Sequence, residues 1–188
     1  MRVDGWRIHR RIGMSGGLFA RALGRELGRE LNDAETEAIQ DRHGQLYREL
    51  LPDPLPLPGA RELLADLRER GVPHGIATSG RRPDIDASLV ALGVDDRTVV
   101  VERGDVARAK PQPDLFLECA RRLGIDAEDA FVVGDAVWDL LAARRARALG
   151  IGVLTGGYGE DELLQAGAYR VYRDAAELHR ALDELGLG

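Results

Sequence analysis

From residue 59 onward the chain alternates short, continuous apolar runs with stretches of helical period, and no other feature restricts its fold so tightly. The runs fall at residues 73–78, 98–101, 130–133 and 151–154. Helical patterns occupy 59–70, 84–92, 113–123 and 137–148 between them. Strands that are apolar throughout, rather than on alternate residues, must be covered on both faces, and intervening helices supply that cover. The expected fold is α/β, a parallel sheet in a three-layer sandwich, with residues 169–172 as an added edge strand. In such sheets ligands sit beyond the carboxyl ends of the strands, which is where Thr78, Ser79, Gly80, Asp135 and Asp139 would lie.

The first fifty residues read differently. Ser15 can cap a helix carrying Leu18, Phe19, Ala22, Leu23 and Leu27 on one face. Asn32 or Asp33 can start a second helix running through Ala38, Ile39, Leu46 and Leu50. Pro52, Pro54, Pro56 and Pro58 then forbid any continuation of that helix and read as a hinge. The division expected is a helical unit at 1–52 and an α/β core at 53–188. A net charge of −6 with interleaved signs leaves no basic stripe for nucleic acid. No apolar run reaches membrane-spanning length, and no apolar segment follows Arg2, Arg7, Arg10 and Arg11 as a signal peptide requires, so a cytoplasmic protein is expected. Cys119, the single cysteine, can form no internal disulfide and reads as a small core residue.

Chemistry concentrates in three places. Lys110 is the one lysine among 26 basic residues, in a chain that otherwise uses arginine. A compact ammonium grips a phosphate or carboxylate oxygen in a tight pocket where a planar guanidinium fits badly. In the segment 131–139, Gly134 turns the chain off a buried strand, Asp135 is presented at its tip, and Asp139 follows one helical turn later. Carboxylates at a strand end suit Mg²⁺, which keeps waters and substrate oxygens as its other ligands. Taken alone, Gly134-Asp135 reads as a capping turn. Thr78-Ser79-Gly80 ends an earlier strand and offers a hydroxyl with successive backbone N–H groups, suited to an anion or equally to a plain helix cap.

The order Thr78-Ser79, then Lys110-Pro111-Gln112-Pro113-Asp114-Leu115-Phe116, then Gly134-Asp135 through Asp139 resembles the haloacid dehalogenase-like hydrolases. It is most similar to their phosphoglycolate phosphatase and β-phosphoglucomutase branch. The resemblance implies a Rossmann-like core with a helical cap. It also implies a Mg²⁺-dependent phosphatase acting on a small phosphorylated metabolite, through an aspartyl-phosphate intermediate in its complete form. Thr78 would bind the transferring phosphoryl group, Lys110 would neutralise it, and Ser79 and Gly80 would add donors. Asp135 would hold the metal, with Asp139 orienting Lys110 or a metal-bound water. Arg10 and Arg11 would meet a second anionic group on the substrate, although solvated arginines explain them equally well.

One departure stands out. The family's nucleophile comes from Asp-x-Asp-Gly-Thr on the first core strand, and no such motif occurs in the 188 residues. Val3-Asp4-Gly5-Trp6 echoes its end, but Arg2 stands in place of the first aspartate, and Asp4-Gly5 reads as an ordinary turn. The expectation is therefore a core without its first strand, whose exposed place opens a route to self-association. Two other functions follow from the same residues: a non-catalytic phosphate- and metal-binding protein, and a phosphomutase.

Overall fold

The computed structural model describes residues 3–187, so Arg2 lies outside the described residues. Three helices come first: α1 (Gly5–His9), α2 (Gly16–Glu26) and α3 (Asp33–Leu50). The turn expected at Asp4-Gly5 is instead the start of α1, where the Asp4 carbonyl accepts from the Arg7 amide at 3.0 Å. Five residues are too few for a visible helical period, so the sequence pattern could not show this helix. Ser15 occupies the cap position of α2 but makes no side-chain cap bond. Asn32 does cap α3: its side chain accepts from the Glu35 amide at 2.9 Å, and Glu35 accepts in return from the Asn32 amide at 3.1 Å. Asn32→Ala should therefore lower stability by about 1 kcal/mol, measurable by urea unfolding.

Beyond the proline-dense stretch come α4 (Ala60–Glu69), β1 (Gly75–Ala77), α5 (Asp86–Ala91), β2 (Val99–Val101) and α6 (Asp114–Leu123). The chain continues through β3 (Phe131–Gly134), α7 (Val137–Ala146), β4 (Leu149–Val153), α8 (Glu160–Ala166), β5 (Ala168–Tyr172) and α9 (Ala175–Arg180). All strand pairing among the described residues is parallel, as continuous apolar runs require. The strands form two sheets, however: β1 pairs with β2, and β4 lies between β3 and β5. Residues 169–172 are the edge strand expected, begun one residue earlier. Helix α7 stops short of residue 148 because Arg147 turns left-handed at φ 64°.

The core is built from the helices that join these strands. Leu115 of α6 and Cys119, free and buried, pack with Val101 of β2. Leu140 of α7 packs with Leu163 of α8, and Ile151 of β4 packs with Leu178 of α9. Helix α9 went unread in the sequence because it is only six residues long; Asp174 caps it by accepting from the Glu177 amide at 2.8 Å. No helix among the described residues is long and apolar enough to cross a membrane.

Candidate functional site

Thr78, Ser79 and Gly80 follow the carboxyl end of β1, and Asp135 follows that of β3, where parallel strands stop and helices begin. Thr78 continues the β1–β2 ladder, its amide donating to the Val101 carbonyl at 2.9 Å. The Thr78 hydroxyl oxygen accepts from the Gly80 amide at 3.0 Å, which leaves its own proton to donate. Beside it the Ser79 hydroxyl is buried and has no hydrogen-bond partner. Buried hydroxyls are normally satisfied, so this orphan is a ready donor or acceptor for something placed at the strand tip.

Lys110 reaches the site from the loop before α6. That loop is tied down at both ends: Arg108 grips Asp114 through Nε and a terminal nitrogen at 3.1 and 3.0 Å, and Arg145 donates to the Pro111 carbonyl at 2.7 Å. The Lys110 ammonium donates to Asp139 Oδ1 at 2.7 Å, with both residues buried. The other Asp139 oxygen accepts from the Ala136 amide at 3.1 Å. Each Asp139 oxygen accepts one hydrogen bond, and through Oδ1 this carboxylate fixes the position of Lys110.

Asp135 is placed differently. Desolvation first, and the neighbouring Asp139 carboxylate second, push its carboxyl above the ordinary value of 3.8, against the Thr155 hydrogen bond and the Lys110 charge. Thr155 donates to Asp135 Oδ2 at 3.2 Å. Gly156 follows, and a Cβ there would stand 2.8 Å from Asp135 Cγ, so the loop presses directly on the carboxylate. The sequence reading missed Thr155; its only signal is a hydroxyl two residues after a buried strand, too common a pattern to single out. Among the described residues no cluster of three acidic, His or Cys side chains could cage a metal. One partly desolvated carboxylate with an oxygen left over does fit Mg²⁺, which takes few protein ligands and retains waters.

A raised carboxyl pKa has a definite sign in stability. The folded state holds the proton more tightly than the unfolded chain, so stability falls as pH rises through the folded pKa. Asp135→Asn should raise the melting temperature at pH 7 without metal, and the gain should vanish as pH falls toward 3.8. Adding Mg²⁺ should stabilise the parent chain and leave the variant unmoved, both read from thermal melts.

The structure places Arg10 and Arg11 on other partners. Arg10 donates to Glu162 at 2.9 Å, and Arg11 pairs with Glu26. Their segment nonetheless lies against the strand-end loops: Trp138 Nε1 donates to the Arg10 carbonyl at 3.2 Å, and the His9 and Tyr158 rings stack 5.4 Å apart. A Cβ at Gly13 would stand 2.6 Å from the Ala136 Cβ, which measures how close the two segments come.

Residues 7–147 match the model of a hydrolase family, haloacid dehalogenase-like hydrolase. The chain is 33% identical over 182 residues to a phosphoglycolate phosphatase of Rhodospirillum rubrum, spanning 94% of this chain and 75% of that protein. It is 30% identical over 149 residues to a β-phosphoglucomutase of Bacillus subtilis, spanning 78% of this chain but only 65% of that protein. The structure of a hydrolase from Pseudomonas syringae superposes with a TM-score of 0.94 at 45% identity, covering 98% of this chain and 85% of that one.

Proposed function

The chain belongs to the haloacid dehalogenase-like hydrolases, and we propose that its site is that of a Mg²⁺-dependent phosphatase for small phosphorylated metabolites. The observation that carries this reading is the buried Lys110–Asp139 pair beside Asp135, with an unpartnered Ser79 hydroxyl at a strand end. Phosphoryl transfer asks a protein mainly for positioning and for neutralisation of charge on the phosphoryl oxygens. Thr78 and Ser79 would donate hydroxyl hydrogen bonds to those oxygens. Lys110, held by Asp139, would offset their charge from a fixed point. Asp135, steadied by Thr155, would hold Mg²⁺, which would supply further charge stabilisation when bound. The attacking carboxylate of an aspartyl-phosphate route would come from the Asp-x-Asp-Gly-Thr motif that the 188 residues do not contain.

The same residues also serve a second reading, a protein that binds phosphate and metal without turnover. One experiment separates the two. The purified chain is assayed for release of inorganic phosphate from phosphoglycolate and from sugar phosphates with and without Mg²⁺, beside its melting temperature in phosphate. Mg²⁺-dependent release abolished by Asp135→Ala supports the phosphatase. Stabilisation by phosphate without release supports the binding protein. A metabolite-phosphate isomerisation in place of release would point to a mutase.

A further inference from the structure

Residues 154–159 join β4 to α8 and include Gly156, Gly157 and Gly159. Leu154 is exposed, so Thr155 and Tyr158 are the side chains that can tie this loop down. Thr155 ties it to the candidate site, donating to Asp135 Oδ2 at 3.2 Å. Gly156 lies so close that a Cβ there would overlap the Asp135 carbonyl oxygen. Tyr158 ties the loop to the first segment of the chain. Its hydroxyl faces the His9 and Ile12 carbonyls at 3.4 and 3.5 Å, and its ring stacks on that of His9. Gly157, between the two anchors, turns left-handed at φ 80°, and a Cβ there would stand 2.5 Å from His9 Nε2.

The segment that Tyr158 reaches is itself fixed. It follows α1, and a helix end leaves carbonyls without backbone donors. Among the described residues no backbone N–H reaches the Arg10 or Ile12 carbonyl. Core side chains serve them instead: Trp138 Nε1 donates to the Arg10 carbonyl at 3.2 Å, and the Tyr158 hydroxyl faces that of Ile12. Arg10 pairs with Glu162 across the same junction at 2.9 Å, and Gly13 abuts Ala136. Tyr158 is buried, with its ring among Ala136, Leu140 and Leu163, and a buried hydroxyl ordinarily has a partner. Its single proton faces two acceptors, and both contacts exceed the usual O–H···O separation of about 2.7–2.8 Å. The effect of the hydroxyl therefore belongs at the few-fold level, not at orders of magnitude.

We infer that Tyr158 is a positioning residue of the candidate site: its hydroxyl, anchored on the His9 and Ile12 carbonyls, holds residues 154–157 against Asp135, so that Thr155 keeps that carboxylate set for a divalent cation. For the cation this rests on the phosphatase reading; for the anchoring it does not. Glycine loses more conformational freedom on ordering than any other residue, so a loop this rich in glycine needs anchors on both sides. Without the Tyr158 hydroxyl, Thr155 would have to hold it alone. Coupling of this kind is mutual, and a cation at Asp135 should in turn steady residues 9–12. Packing of the Tyr158 ring in the core is a separate role, which phenylalanine would keep.

The test combines Tyr158→Phe with Thr155→Val and takes Tyr172→Phe as its control, because the Tyr172 hydroxyl is buried with no hydrogen-bond partner among the described residues. Calorimetric titration with Mg²⁺ should show affinity about fivefold weaker for Tyr158→Phe and unchanged for Tyr172→Phe. Thr155→Val should weaken it too, and adding Tyr158→Phe to that variant should change little, because the hydroxyl acts through Thr155. Without metal, hydrogen exchange at residues 154–157 should run about fivefold faster in Tyr158→Phe than in the parent chain. Parent-like exchange there, or losses of Mg²⁺ affinity that simply add in the double variant, would overturn the inference. If Tyr158→Phe fails to fold, exchange at residues 9–12 of the parent chain decides: Mg²⁺ should slow it, Thr155→Val should abolish the slowing, and no slowing would overturn the inference. A parent chain that binds no Mg²⁺ would refute the phosphatase reading instead, and the metal-free exchange would still decide whether Tyr158 holds the loop.

Discussion

Replacing Lys110 with methionine should lower the unfolding free energy by about 3–5 kcal/mol. The ammonium is 8% exposed and its partner Asp139 is 6% exposed, with 2.7 Å between them. Removing the cation leaves a carboxylate buried without its counter-charge, and that desolvation is what the variant loses. Urea unfolding of the variant measures it directly. The cost belongs to the broken pair rather than to lysine itself. Lys110→Met combined with Asp139→Leu should therefore recover most of the loss. About 1 kcal/mol should remain missing, because Asp139 also accepts from the Ala136 amide. A double variant as unstable as the single one would show that the pair is not the source. In a catalytically active form, Lys110→Arg should slow turnover at least about tenfold, because a guanidinium cannot replace a point charge at the same spot.

Gly59→Ala should cost about 2–6 kcal/mol, from two sources that act at once. Gly59 adopts φ 79°, a left-handed conformation that alanine enters only at a cost of about 1–3 kcal/mol. A Cβ there would also overlap the backbone of Ala176 at the start of α9, and overpacking of that kind adds about 1–3 kcal/mol more. Gly59 is therefore a point of close approach between the start of α4 and the start of α9. Thermal melts and urea unfolding should both register the loss. Gly71→Ala makes a useful control: its φ is 69° but nothing lies within 4 Å of its Cβ position, so it carries the backbone cost alone. The difference between the two variants isolates the clash with Ala176.

These residues also show how far the sequence could be read. Gly59 could be read only as the start of a helix, because its close approach to Ala176, more than a hundred residues away, is a tertiary contact. Lys110 stood out as the single lysine, and Gly134-Asp135 as a turn off a buried strand, because both signals are local in composition or pattern. Their company was not local. Asp139 could be read as a metal ligand or as a partner of Lys110, and only the packing of α7 against the loop before α6 brings the Lys110 ammonium onto one of its oxygens. Thr155 carried no visible signal, since its importance lies in touching Asp135 twenty residues earlier.

The chain's own residue order determined the alternation of buried parallel strands and helices, the placement of Thr78, Ser79 and Asp135 at strand ends, and the family resemblance that the candidate residues carry. Hydrophobic period and residue chemistry are properties of neighbours along the chain, so they are legible there. Tertiary structure alone decided that the strands form two sheets and that Lys110 pairs with Asp139. Each of these depends on which surfaces meet across long stretches of sequence, and burial and charge pairing are settled only where they meet.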